Sequence, residues 1–140
     1  MNELKPKILG IDDDTSWLEQ LNLILEDDCL VCGVNTIEKG LKAIEDNFFD
    51  VIVLDLNFDY DDRSGLDVLR VIHALDQGVD VVVISGETDY RKIIEVIDSG
   101  ITKFIPKPAT PDKIRTSIKE ILSQRESKSC LLYTSDAADE

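Results

Sequence analysis

The chain has 140 residues, 43% of them hydrophobic and 31% charged, and its 29 acidic side chains against 15 basic ones leave a formal net charge of -14. That length suits one domain with one core, and that charge argues against nucleic acid as a direct partner, because a phosphate backbone selects a basic patch. No apolar run approaches the roughly 18 residues of a membrane span, and residues 1–7 hold no signal-peptide core, so a cytoplasmic protein without membrane contact is expected.

Strand and helix signals alternate along the chain. Lys7 to Asp12 reads as a first strand, and Thr15 to Asp27 as a helix in which Trp17, Leu18, Leu21 and Leu25 recur at helical spacing. Cys29 to Val34 is a second strand. Its C-x-x-C, Cys29 and Cys32, is expected to be a pair of buried structural thiols, since residues three apart on a strand face opposite sides. Asn35 with Glu38 suggests a capping box for a helix reaching about Asp46. Asp50 to Leu56 is the third strand, Gly65 to Gln77 the third helix, and Gly78 its stop. Asp80 to Ser85, then Thr88 to Ser99, form the fourth strand and helix, with Gly100 closing the latter. Lys103 to Pro106 is a short fifth strand. Thr110, Pro111 and Asp112 open the last helix with a hydroxyl cap and a proline in the first turn. Five strands alternating with five helices predict a doubly wound α/β sheet.

The helical pattern is expected to end at Ser127-Lys128-Ser129, giving a domain over 1–129. Residues 130–140, Cys130 to Glu140, resemble a translated sequencing adapter and are set apart as a non-native tail. Sequencing the native locus tests this, and a genuine codon run for the tail would overturn it.

Four of the most hydrophobic runs each lead straight into a residue suited to phosphate chemistry. Ile8 to Ile11 leads into Asp12 and Asp13, Val51 to Leu54 into Asp55, Val81 to Ile84 into Ser85, and Phe104 to Pro106 into Lys107. In a parallel sheet these ends share one rim, where such folds bind ligands. Ionised carboxylates about 5 Å apart repel by roughly 3 kcal/mol per pair at an effective dielectric near 20, so the rim calls for a proton or a cation. An all-oxygen donor set with few protein ligands suits Mg2+. Ser85 would donate to a phosphoryl oxygen, Lys107 would neutralise another, and Asp55 would be placed to attack phosphorus.

These residues resemble the receiver domain of two-component response regulators over roughly Lys5 to Glu126. The likeness rests on Asp12-Asp13, Asp55, Ser85 and Lys107-Pro108, with 30 residues from Asp55 to Ser85 and 22 from Ser85 to Lys107. The resemblance implies a flavodoxin-like strand order 2-1-3-4-5 and Asp55 as phosphoacceptor. It implies Mg2+ held by Asp12, Asp13, Asp55 and the Asn57 carbonyl, with Asp12 acting mainly through water. Ser85, Gly86 and Lys107 would bind the phosphoryl group, and a cis peptide before Pro108 would aim Lys107 inward. Ser85 and Phe104 would form the switch, altering the face of the fourth helix, fifth strand and fifth helix. Asn57 and Glu87 would tune dephosphorylation by orienting water, so a short-lived mark is expected; persistence over many hours in Mg2+ would contradict that.

The implied partners are a sensor histidine kinase or phosphotransfer protein and a downstream output domain or protein. The implied chemistry is limited to the domain's own phosphorylation and dephosphorylation. One departure stands out: the stretch Phe58 to Ser64 is longer than is usual in that family, lacks proline and is acidic. His73, the single histidine, is read as an ordinary helix residue. Trp17 is read as core or as part of a surface facing the kinase.

Two other readings compete. Asp12-Asp13-Asp14 also parses as the D-x-D start of haloacid-dehalogenase-like phosphatases, with Asp12 as nucleophile and Ser85 and Lys107 as later motifs. That leaves only Asp112 and Glu120 for the final acidic motif and Asp55 unexplained. A pseudo-receiver that binds a partner without phosphorylation is the third reading.

Overall fold

The computed structural model describes the backbone of residues 5–56, 65–75 and 78–138 and the side chains among them up to residue 125. The chain divides into two compact units, Met1–Ala109 and Thr110–Glu140. The first holds five parallel strands, β1 (Lys7–Ile11), β2 (Leu30–Val34), β3 (Val51–Leu54), β4 (Asp80–Ser85) and β5 (Lys103–Pro106), in the order β2-β1-β3-β4-β5. It also holds four helices, α1 (Thr15–Leu25), α2 (Ile37–Asp46), α3 (Gly65–Leu75) and α4 (Tyr90–Asp98). The second unit is the helix α5 (Pro111–Ala138). The expected fold class and strand order are both found.

Continuous apolar runs become central strands because a parallel sheet covered on both faces leaves no side for polar residues. Every residue of β3 is buried, as are all but the first of β1 and of β4. Alternate residues serve opposite faces. Leu9, Ile11, Ile52, Leu54, Val81 and Val83 join Ile37, Ile44, Val68, Leu69, Ile72 and Val96 of α2, α3 and α4 in one core cluster. On the other face, Gly10 lets α1 approach closely: a Cβ there would stand 3.0 Å from Leu21 Cδ2 and 3.2 Å from Leu18 Cδ2.

The register brings the strand ends level. Ile11 pairs with Leu54, Leu54 with Val83, and Ser85 with Pro106. Backbone bonds run on past the strands, Asp12 N–H to Val34 O at 3.2 Å, Asp55 N–H to Ile11 O at 3.0 Å and Lys107 N–H to Ser85 O at 2.9 Å. They fix the residues that follow β1, β3 and β5.

Several expectations need correction. The α2 cap is Thr36, whose hydroxyl accepts the Lys39 N–H at 3.1 Å; the Asn35 side chain instead accepts from Lys39 Nζ at 3.4 Å. α4 starts at Tyr90 rather than Thr88, because Asp89 is the cap, accepting the Arg91 N–H, and its own N–H is taken by the Glu87 carboxylate. α1 stops at Leu25, where Asp28 and Cys29 turn their N–H groups onto the Leu25 carbonyl. β2 begins at Leu30, and Cys32 is exposed while Cys29 is buried, since β2 is an edge strand with only one neighbour. β1 and β3 end at Ile11 and Leu54, before the acids that follow them.

The last helix continues past Ser129 to Ala138, since Cys130 to Ala138 contains neither glycine nor proline to break it. A helical backbone says nothing about the origin of the tail. Asp76 and Gln77, expected to close α3, lie outside the described residues, while Gly78 takes the left-handed φ of 71° that suits a helix stop. The Thr110 cap is found as expected, accepting the Lys113 N–H at 3.1 Å.

Candidate functional site

The site stands on the carboxyl rim of β1, β3, β4 and β5. Asp12 follows β1 and is only 2% exposed; Asp55 follows β3 and is 9% exposed; Ser85 ends β4 and is fully buried. Asp13 is half-buried, and one carboxylate oxygen from each of Asp12, Asp13 and Asp55 lies within 4.8 Å of the others. From β5, Lys107 reaches across with its ammonium 3.1 Å from Asp12 Oδ2 and 3.7 Å from Asp55 Oδ2. The Lys107-Pro108 peptide is cis, as expected.

Local chain chemistry sets each position. Asp14 caps α1, its carboxylate accepting the Trp17 N–H at 3.2 Å, so the helix begins directly after the acidic pair. Asp12 Oδ1 accepts the Asp14 N–H at 2.9 Å, which ties that carboxylate to the turn between β1 and α1. Burial pushes the Asp12 carboxyl up from 3.8 to about 6, and the Asp55 charge adds to this, while the Asp14 N–H and Lys107 oppose it. A carboxyl so placed gains from any added positive charge. Three clustered oxygen donors with no sulfur or imidazole among them fit a hard divalent ion such as Mg2+.

Ser85 Oγ accepts the N–H of Glu87 at 3.1 Å. Gly86, between them, is exposed, and among the described residues a Cβ there would meet only Lys107 Cβ, at 4.0 Å. The Glu87 carboxylate accepts the N–H groups of Thr88 and Asp89 at 3.1 and 2.8 Å and lies 3.6 Å from Lys92 Nζ. It therefore organises the start of α4. Phe104 is half-buried and packs against the core cluster. Asn57 and the stretch Phe58 to Ser64 lie outside the described residues. His73 is an exposed residue of α3.

Two features of the site were not foreseen. Gly65 opens α3 against the rim: its N–H bonds Leu56 O at 2.9 Å, and a Cβ there would stand 2.6 Å from Asp55 O and 2.8 Å from Leu56 Cα. Trp17 stands with its ring centroid 5.3 Å from Lys107 Nζ. Trp17 lies in the first turn of α1, whose cap Asp14 directly follows the acidic pair, and that nearness in sequence is the signal that places it beside the site.

Comparison with known proteins agrees with this geometry. The chain is 30% identical over 129 residues to the DNA-binding response regulator MtrA of Mycobacterium tuberculosis, covering 90% of this chain and 54% of MtrA. It thus spans about half the length of that relative. Among solved structures it resembles the CheY-like receiver domain protein of Methanospirillum hungatei, with a TM-score of 0.83 and 28% identity over 89% of this chain and 99% of that one. It also resembles the non-phosphorylated HemR receiver domain of Leptospira biflexa, with a TM-score of 0.77 and 27% identity over 85% of this chain and 95% of that one. The family model of the response regulator receiver domain matches residues 8–119, and the chain belongs to that family.

Proposed function

We propose that Asp55 accepts a phosphoryl group from the phosphohistidine of a sensor histidine kinase or phosphotransfer protein, and that the resulting acyl phosphate sets the state of the domain. Phosphorylation-activated switching is the general function of receiver domains. The observation that carries the assignment to Asp55 is the position of the Lys107 ammonium, within 4 Å of both Asp12 and Asp55 on a rim that also holds buried Ser85. A lone capping aspartate would need no such neighbours.

In the transfer, an Asp55 carboxylate oxygen bonds to phosphorus as the P–N bond to the donor imidazole breaks, and the imidazole leaves with that electron pair and takes up a proton. Catalysis of such a step is mostly alignment and charge stabilisation. Asp12, Asp13 and Asp55 would hold Mg2+ together with the Asn57 carbonyl, Asp12 mainly through water; when bound, the ion neutralises charge on the transferring group. Lys107 balances a phosphoryl oxygen as a point charge. The Ser85 oxygen already accepts from Glu87, so its own hydroxyl proton is the donor for another oxygen. Gly86 keeps that side of the rim open, since among the described residues only Lys107 Cβ comes within 4 Å of its missing side chain.

The readout proceeds through Ser85 and Phe104. Movement of Ser85 toward the phosphoryl group opens space at the end of β4, and Phe104 on the adjoining strand repacks into it. α4 displays Tyr90, Ile94 and Ile97 at 73%, 40% and 51% exposure, an apolar stripe that an output partner would sense. Hydrolysis by oriented water resets the mark, with Asn57 and Glu87 as tuning positions. Glu87 would have to leave its bonds at the start of α4 to take part. The domain turns over no external substrate in this reading. DNA binding, which the name of MtrA states of MtrA, is not carried over to these residues, whose net charge of -14 opposes it.

Incubation with Mg2+ and acetyl phosphate tests the assignment. Label that is lost in Asp55→Asn supports it; label that survives there and is lost in Asp12→Asn supports the phosphatase chemistry instead; no label at all supports a binding module.

A further inference from the structure

The Lys107 ammonium lies 3.1 Å from Asp12 Oδ2 and 3.7 Å from Asp55 Oδ2, and it also stands over the ring of Trp17, 5.3 Å from the centroid. Trp17 is half-buried and lines a cleft of about 470 Å3 with Asp14, Gln20, Lys107, Pro108 and Ala109, so it borders the same cleft as the segment that carries Lys107. An ammonium is a compact charge on a flexible stem, and an ion pair fixes its distance but not its direction. An indole face attracts it from a defined side and keeps water from that side.

This matters when the phosphoryl group arrives. Lys107 must then give up its 3.1 Å contact with Asp12 for an oxygen on Asp55, and a stem released from its shortest partner can swing to solvent. We propose that Trp17 is a positioning residue for phosphoryl transfer, its indole face holding the Lys107 ammonium over the rim while that charge changes partners. The inference rests on the phosphoacceptor reading above.

Trp17 is the single tryptophan, so emission excited at the red edge of indole absorption, beyond that of the three tyrosines, reports it alone. Lys107→Met is expected to change that emission in the unphosphorylated protein, because the cation leaves the ring face. Identical emission would overturn the contact. The second arm is the initial rate of labelling from acetyl phosphate with Mg2+. Trp17→Leu, which keeps an apolar side chain without a π face, is expected to slow labelling about two- to fivefold, and Trp17→Phe to recover most of the loss. Labelling of Trp17→Leu at the wild-type rate overturns the inference, as does a Trp17→Phe as slow as Trp17→Leu, which would assign the loss to ring size. Failure of the wild type to label would strike the phosphoacceptor reading instead, while the emission arm still decides the contact.

Discussion

β2 and β3 pair with opposite sides of β1, yet all of β3 is buried whereas Leu30, Cys32 and Gly33 of β2 are exposed. The difference follows from position in the sheet, since β3 has a neighbour on each side and β2 has β1 alone. It also separates their chemistry. A strand covered on all sides can present its last residue to a desolvated rim, where a carboxylate is held close to others and to a lysine. The edge strand β2 contributes no residue to the rim and has an exposed free thiol at Cys32. β1, β3 and β4, each with a neighbour on both sides, carry the buried groups of the rim, while the other edge strand, β5, supplies the partly exposed Lys107 that reaches them.

The largest expected effect contrasts the two strands directly. Leu54→Ala removes a fully buried side chain next to Asp55 and is expected to cost about 2 to 5 kcal/mol in urea unfolding. Leu30→Ala, at a side chain 52% exposed, is expected to stay within about 0.5 kcal/mol. Equal losses would break the comparison.

The pH dependence of metal-free protein sharpens it. The Asp12 carboxyl is raised from 3.8 to about 6, so the fold binds that proton more tightly than the unfolded chain does. Its contribution to stability is complete below 3.8 and is lost as pH rises through about 6, a loss of roughly 3 kcal/mol. With chelator present, unfolding free energy from this group should fall over that window, and Mg2+ should restore more stability near neutral pH than at about pH 5. A flat dependence on Mg2+ at both would contradict the burial of charge at the β1 end.

Smaller changes probe how the rim is framed. Gly65→Ala would force a Cβ within 2.6 Å of the Asp55 carbonyl and is expected to cost about 1 to 3 kcal/mol by thermal unfolding, because backbone is the obstacle. Thr36→Ala, at the cap of the helix that follows the edge strand, is expected to cost about 1 kcal/mol, and Asn35→Ala less.

Much of this was legible in the chain. The runs before Asp12, Asp55, Ser85 and Lys107 announce buried parallel strands by being apolar without alternation, and parallel strands in one sheet must bring their ends to one rim. Local boundaries were less legible. Thr36 and Asn35 are both good caps, and only the backbone angles decide which accepts the third helical N–H. Asp89 displaced Thr88 because Glu87 reaches forward to hold two N–H groups, a contact no spacing rule carries. Cys32 was misread because burial depends on where β2 stands in the sheet, which alternation within the strand does not encode. The Trp17 ring over Lys107 joins residues far apart in sequence, so it emerges only once β1 and β5 are brought to the same rim.

The central claim is that the phosphoryl group goes to the carboxylate after β3, and covalent trapping tests it most directly. Treating the protein with Mg2+ and acetyl phosphate, then reducing the acyl phosphate with borohydride, converts the phosphorylated aspartate to homoserine, which peptide mass spectrometry locates. Homoserine at position 55 is the predicted result. Homoserine at position 12, or at neither, would contradict the account.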